Sequence, residues 1–387
     1  MTAHQGPRDD GAAGARGDPV QRADFDGLAE YVAPATEAQE AVAEIWRRAF
    51  NIDEVGIDDD FFDLQGDSLV AVTIATALSA DFEVDFQPSL MITYATVAAI
   101  AEFVDGVEGS QGSDASSPSL PSHLVPVRAK GNLAPVFLVH GLFGIFFPNR
   151  DFLDALDPEQ PVYFLQAIGF MGEAEPPGTV EEIAATYVRA VRLCQPHGPL
   201  NIAAFCAGSL IGVEMGHQLR AAGDPPNPLV LIDPPMPYSL KRSPWPLWVR
   251  MTFRRVRDFP KWFLRATLGR AGLLGAGGAP DADFKKRLNR LPGAVEGGEK
   301  FGTPAAKKAH DSLEYAITIY HPRPYEGRVE VITSRERFGL YEDENLPWPR
   351  LLSDFTVHVG VENHAAMFTG EIASMARILQ KCLATGG

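Results

Sequence analysis

Apolar residues recur at helical spacing over the first third of the chain. They give way to a Gly/Ser/Pro stretch, then return as short continuous runs that alternate with helical segments. Thr36-Glu37-Ala38-Gln39 reads as a capping box, and Val42, Ile45, Trp46 and Phe50 follow on one helical face. Leu69, Val72, Ile74, Ala75 and Leu78 predict a second helix, and Val97 to Val104 a last one. Residues 1–30, polar and Gly/Ala-rich, read as a disordered tail, and 31–105 as a small all-α bundle. Residues 106–123 read as a flexible linker, which as a coil spans about 20–25 Å.

From Leu124 to the C-terminus the pattern is that of a mostly parallel α/β sheet with helices on both faces. Strands are predicted at 135–139, 162–165, 200–205, 228–232, 329–332 and 355–359, and a helix over 180–194. The segment from about 234 to 325 is too long for an ordinary connection and reads as a helical insertion. Near its start an apolar stripe (Trp245, Val249, Phe253, Val256, Phe263) runs beside a basic one (Arg250, Arg254, Arg257, Lys261, Arg265), and Pro260 should kink that helix.

Charge sharpens this division. The net charge is −16. Residues 31–105 hold 15 Asp/Glu against 2 Arg, while 241–310 hold 16 Lys/Arg against 5 Asp/Glu. Two modules of opposite sign can dock on each other, or be separately solvated. The acidic total and the lack of a recognition motif argue against nucleic acid. No apolar run is long enough for a membrane span and no leader pattern is present, so no membrane partner and a cytoplasmic location are expected. Three scattered cysteines, Cys194, Cys206 and Cys382, make neither a disulfide framework nor a metal site.

Candidate chemistry centres on the predicted strand 200–205, a sharp turn at Cys206-Ala207-Gly208, and a small-residue helical run from Leu210 to Leu219. Strand, turn and helix are the setting of a nucleophile elbow, G-x-S-x-G. Here it reads Ala204-Phe205-Cys206-Ala207-Gly208, with cysteine in place of serine and alanine in place of the first glycine. Cys206, Asp233 and His364 each lie just past a predicted strand end, where sites form in open α/β sheets, and their order is nucleophile, acid, histidine. Ser209 is a rival nucleophile and Glu336 a rival acid; His358 falls inside a strand and reads as structural. Ser68, just before the second main helix, is either an N-cap serine or a phosphorylated one.

Residues 31–105 resemble the peptidyl carrier domain of nonribosomal peptide synthetases. The resemblance rests on Tyr31-Val32-Ala33-Pro34, the run Asp59-Asp60-Phe61-Phe62-Asp63-Leu64, and Gly66-Asp67-Ser68-Leu69. It implies a 4′-phosphopantetheine arm on Ser68, installed by a separate phosphopantetheinyl transferase; Gln65 stands where the family has a further glycine. Residues from about 130 onward resemble a type I thioesterase domain of the α/β-hydrolase family. The features are His140-Gly141 after the first strand, the elbow, Asp233 at 27 residues beyond Cys206, and Asn363-His364. The resemblance implies that His364 deprotonates Cys206 and Asp233 orients the imidazole, with the N–H groups of Leu142 and Ala207 forming the oxyanion hole. It also implies that the 234–325 insertion is a helical lid, its basic face a landing site for the acidic carrier.

The expected function is a carrier–thioesterase didomain that passes an acyl or peptidyl thioester from Ser68 to Cys206 and releases it by hydrolysis or cyclisation. Substrate would come from upstream synthetase modules or other carrier proteins. Exchange from one thioester to another is close to thermoneutral, so a cysteine adduct keeps driving force for a demanding acceptor. Two alternatives stand beside it: a cysteine acyl shuttle between carrier proteins, and a non-catalytic scaffold that binds a carrier.

Overall fold

The computed structural model describes residues 19–25, 27–110, 120–237, 302–342, 344, 346–368 and 371–384. The N-terminal bundle is built on α1 (Glu37–Phe50), α2 (Ser68–Asp81) and α3 (Val97–Ser110). Thr36 caps α1 by accepting from the Gln39 N–H, while the Gln39 side chain accepts from Ala35 N–H, so the capping box forms one residue out of register at its return arm. Trp46, fully buried, packs on Phe50 and Phe61, and Gly66 passes so close to Phe61 that a Cβ there would lie 2.4 Å from the ring. Gln65, in the place of the family's glycine, adopts φ 59°, the left-handed conformation that glycine takes without strain.

Three predicted boundaries move. Residues 19–30 were expected to belong to a disordered tail, yet Val20 bridges to Ile52 and Arg22 ion-pairs with fully buried Asp59. A long-range pair of this kind leaves no local signature in a polar segment. Helix α3 runs on to Ser110, so the expected linker 106–123 begins inside a helix; residues 111–119 lie outside the described set. The C-terminal part of the expected lid is α7 (Pro304–Ile319), and Tyr325 already begins a strand. The apolar and basic stripes of 245–265 lie outside the described residues.

The second domain is a seven-stranded sheet flanked by helices. Its strands are β1 (Leu124–Arg128), β2 (Val136–Val139), β3 (Val162–Leu165), β4 (Asn201–Phe205), β5 (Leu229–Ile232), β6 (Tyr325–Ser334) and β7 (Leu352–Val361). The order is β1-β3-β2-β4-β5-β6-β7, parallel throughout except for β1, which pairs antiparallel with β3. β1 was not foreseen, because its proline at 126 and its short length conceal an edge strand. The central strands β2, β4 and β5 are buried at every residue, the mark of a sheet covered on both faces. Helices α5 (Val180–Cys194) and α6 (Ser209–Ala221) share one apolar cluster with alternate residues of β2, β4 and β5. Helices α4 (Arg150–Asp154) and α9 (Ile372–Ala384) contribute to the cluster on the other face; short α8 (Pro347–Leu351) leads into β7.

Candidate active site

Register brings the chemistry together. Phe205 on β4 pairs with Ile232 on β5, which pairs with Ile332 on β6, so Cys206 and Asp233, just past their strands, lie level with Thr333 near the end of β6. Cys206 takes φ 50° and Asp233 φ 46°, left-handed conformations that side chains with a Cβ adopt only under strain. At Cys206 that geometry makes the elbow: a short 3-10 turn, Cys206–Gly208, leads directly into α6 and places the thiol at a helix N-terminus. Gly208 is obligatory, since a Cβ there would lie 1.9 Å from the His140 carbonyl oxygen. Ser209, the rival nucleophile, is fully buried and donates its hydroxyl to the Ala204 carbonyl at 3.1 Å.

Asp233 is fully buried and surrounded by donors. One carboxylate oxygen accepts from the Ser334 N–H and the Ser334 hydroxyl, each at 2.9 Å, and from Thr333 at 3.4 Å. The other faces His364 Nδ1 at 2.7 Å and the Arg337 guanidinium at 2.7 Å. Burial alone would push this carboxyl up, but the His364 and Ser334 hydrogen bonds and the Arg337 charge hold it below its ordinary value. Arg337 also donates to the Asp233 carbonyl at 2.6 Å, tying the strained residue down from both ends.

His364 follows β7 and is half-buried. Its Nδ1 hydrogen-bonds Asp233, and its ring stacks 5.3 Å above Phe205, the residue before Cys206. Burial pulls the imidazole down, but the Asp233 and Cys206 bonds outweigh it and lift it to about 9. Of the three candidate residues, Asp233 and His364 are therefore in contact, and His364 stands beside the turn that holds Cys206. Glu336, the rival acid, is exposed, and its backbone N–H donates to the Glu362 carbonyl.

The loop after β2 crosses directly over the elbow: a Cβ at Gly141 would lie 3.6 Å from that of Cys206. Leu142 is half-buried in this loop and Ala207 is buried in the turn. Two histidines hold the loop. His140, fully buried and pushed down to about 4 by that burial, is neutral; its Nδ1 donates to the Gly141 carbonyl at 2.6 Å, since a carbonyl only accepts. That carbonyl and the Leu142 N–H belong to one peptide plane. His310 of α7 donates from Nδ1 to the Leu142 carbonyl at 2.9 Å and stacks on Phe143. Behind the loop, His140, Ala167, Ile168, Tyr187, Ala309 and Leu313 line a cavity of about 10 Å³, room for roughly one water.

Arg337, Ser334, His310 and the His140–Tyr187 pair were not foreseen. Of these only His140 carried a signal, its place beside Gly141 after a strand.

Ser68 is exposed as the first residue of α2, and Asp67, not Ser68, is the N-cap, accepting from the Leu69 and Val70 N–H groups. An exposed hydroxyl at a helix N-terminus fits a covalently attached phosphate. Among the described residues, one grouping has metal-ligand chemistry: Glu330, His358 and Cys382. Arg328 and His358 already satisfy the Glu330 carboxylate, at 2.7 and 2.8 Å, so the cluster reads as an ion pair under α9.

Sheet order, elbow and acid–histidine contact define an α/β-hydrolase domain, joined here to a helical carrier bundle. Comparison with known proteins agrees domain by domain. The phosphopantetheine attachment site family matches residues 40–104, and the thioesterase domain family matches residues 134–261. The first match implies 4′-phosphopantetheine bound covalently to a serine. Malpibaldin synthetase from Mortierella alpina is 30% identical over 210 residues, 54% of this chain and 4% of that protein. The dimodular nonribosomal peptide synthase of Bacillus subtilis (strain 168) is 30% identical over 200 residues, 52% of this chain and 8% of its own length. The chain thus corresponds to a small fraction of these relatives. A crystal structure of a four-domain nonribosomal peptide synthetase bound to AMP and glycine superposes with a TM-score of 0.53, covering 92% of this chain and 27% of that one at 22% identity, a likeness of fold. Among the described residues no helix is long and apolar enough to cross a membrane.

Proposed function

We propose that the chain is the carrier and product-releasing thioesterase pair of a nonribosomal peptide (or hybrid) assembly system, with Cys206 as nucleophile, His364 as acid and base, and Asp233 as the orienting carboxylate. The observation that carries this reading is that one imidazole, His364, bonds the buried Asp233 while its ring stacks on Phe205, directly beside the elbow at Cys206. Ser68 would hold 4′-phosphopantetheine, which supplies a thiol bearing the acyl or peptidyl chain as a thioester. A phosphopantetheinyl transferase modifies Ser68, and synthetase modules or other carriers load it.

Cys206 gives its proton to His364 and its sulfur attacks the thioester carbonyl, and negative charge develops on the carbonyl oxygen. The Leu142 and Ala207 N–H groups face that oxygen as the oxyanion hole. The oxyanion collapses with expulsion of the original sulfur, to which imidazolium His364 gives its proton. His364, now neutral, takes a proton from the incoming acceptor as that acceptor attacks the Cys206 thioester. It returns the proton to Cys206 as product leaves. Water as acceptor gives a free acid, an internal nucleophile of the chain a ring. The thioester at Cys206 also favours a second reading, transfer to another carrier's thiol, because that exchange is nearly thermoneutral.

The test loads Ser68 with a labelled acyl group and follows it by intact-protein mass spectrometry. Wild type should lose the label while Cys206→Ala retains it. Equal loss from both sinks the nucleophile assignment. Label on an added carrier, without free acid or ring product, selects the shuttle, and retention by wild type with every acceptor selects the scaffold.

A further inference from the structure

The carrier and hydrolase domains meet along a seam that is buried and polar at its centre. The short turn Pro88–Ile92 of the carrier is buried throughout. In it the Ser89 hydroxyl lies 3.1 Å from the Gln166 amide oxygen and 3.4 Å from the Phe146 carbonyl, and the Gln166 amide nitrogen donates to Gln87 at 2.6 Å. Thr93 donates to the Val127 carbonyl on β1 at 2.6 Å, and Arg150 pairs with Asp60 at 2.9 Å. Phe147 sits against Phe61 and Phe62, and Val72, one turn along α2 from Ser68, packs with Ala167, Phe170, Ala306 and Ala309. Buried amide pairs of this kind fix one relative position, because any slip leaves a donor or acceptor unsatisfied.

The hydrolase groups that meet Ser89, Gln87, Phe61 and Phe62 belong to, or hold, the loop over Cys206. Phe146 and Phe147 end that loop. Gln166 sits between two residues bonded to it: the His140 N–H donates to the Leu165 carbonyl, and the Ala167 N–H to the Gly144 carbonyl at 2.7 Å. The Tyr187 hydroxyl donates to the Gln166 carbonyl at 2.6 Å and lies 2.7 Å from His140 Nε2, and His140 in turn holds the Gly141 carbonyl. A continuous run of short contacts thus leads from the carrier's Gln87 and Ser89 to the peptide that bears the Leu142 N–H.

We infer that this seam is the docking surface for the chain's own carrier domain, and that docking, through Gln166 as a positioning residue, orders the oxyanion loop. The carrier then completes the site it feeds, and the hydrolase domain works at full rate only with its carrier seated. This rests on the reading of Cys206 as nucleophile.

The test removes delivery from the question. In the full chain with Ser68→Ala, a soluble short-chain acyl thioester of N-acetylcysteamine acylates Cys206 from solution, and the rate is read by quenching and intact mass. Adding Ser89→Glu places a carboxylate against two carbonyl-type oxygens at a fully buried position and unseats the carrier. Amide hydrogen exchange over 87–93 and 124–128 should report that release. Acylation should fall about tenfold or more, less than the 10²–10³ typical of deleting an oxyanion donor outright. Gln166→Leu, on the hydrolase side, should do the same.

A seam that opens while acylation is unchanged overturns the inference, and so does a seam that stays closed in the Ser89→Glu chain. With Ser68 intact, the Ser89→Glu protein must still be modified by a phosphopantetheinyl transferase, which shows a folded bundle. Where it is not, Gln166→Leu decides alone. If Cys206 is not acylated even with the carrier seated, the functional reading fails separately. Exchange at Gly141–Gly144 then decides the coupling: faster exchange on opening upholds it, and no change refutes it.

Discussion

Replacing Asp233 by asparagine tests the site at its best-defined point. All the polar partners of the carboxylate are donors: Ser334 N–H, the hydroxyls of Ser334 and Thr333, His364 Nδ1 and Arg337. An amide has one acceptor oxygen, so its NH₂ must point at donors on one side. If the oxygen stays with the Ser334 backbone N–H, which cannot rotate away, the NH₂ faces Nδ1. His364 must then carry its proton on Nε2, towards Cys206, and can no longer take one from it. If the oxygen turns to His364, the Ser334 N–H is left buried and unpaired, at about 1–3 kcal/mol. The first outcome is the wrong-tautomer state that lowers kcat by about 10⁴ in serine triads. The loss here should be smaller, because a thiol is a much stronger acid than an alcohol. Loss of the carboxylate also removes the main contribution that lifts His364 to about 9, so the alkaline limb of the pH–rate profile should move down. Acyl release from Ser68, followed by mass spectrometry from pH 6 to 10, reads both effects. An Asp233→Asn protein with wild-type rate and an unmoved alkaline limb refutes the assignment of Asp233.

Folded His364, lifted to about 9 from its ordinary 6.5, contributes stability that is fully present below pH 6.5 and lost as pH rises towards 9. Urea unfolding should therefore show wild type losing stability relative to His364→Gln across that window, and parallel curves would contradict it. His310→Ala deletes the Leu142 tether and should lower kcat by roughly tenfold with KM little changed, for want of a fixed oxyanion donor. His310→Asn, which keeps an N–H of similar reach, should recover most of it, and an equal loss in both variants would mark His310 as merely structural. Gly208→Ala drives a methyl into the His140 carbonyl and should destabilise the domain by on the order of 2–4 kcal/mol, read by thermal unfolding.

The reactive positions were readable because strand ends are. Short apolar runs locate β4, β5 and β7, and in a parallel sheet the residues beyond their C-terminal ends share one edge, so Cys206, Asp233 and His364 could be placed without knowing strand order. Their supports could not be read this way. Arg337 and Ser334 reach Asp233 only because β6 lies beside β5, a neighbour relation made by a crossover of more than ninety residues. Glu336 illustrates the same limit. It has the right chemistry just past the right strand, but the side of Asp233 it would have to occupy is filled by its neighbours at 334 and 337. Gln166 and Ser89 are invisible for a further reason, since polar residues in loops ordinarily face water. Here both are buried, in contact with each other across the two domains.

The surroundings of Asp233 also bear on the proposal that Cys206 is the nucleophile. A carboxylate held by this many donors stays ionised, and with Cys206 it holds a proton on His364 well above neutrality. An imidazolium has no lone pair with which to take a proton from an alcohol, so a serine at 206 would face an acid where it needs a base. A thiol is a far stronger acid than an alcohol and depends much less on a base at that position. The reasoning is mutual, since Cys206 is itself one of the groups that lift His364. Cysteine and histidine therefore form one unit, and Cys206→Ser changes the state of the base as well as the identity of the attacking atom. Under the proposed mechanism the departure from G-x-S-x-G is a different way of placing the proton, with the imidazolium ready to protonate the first leaving sulfur.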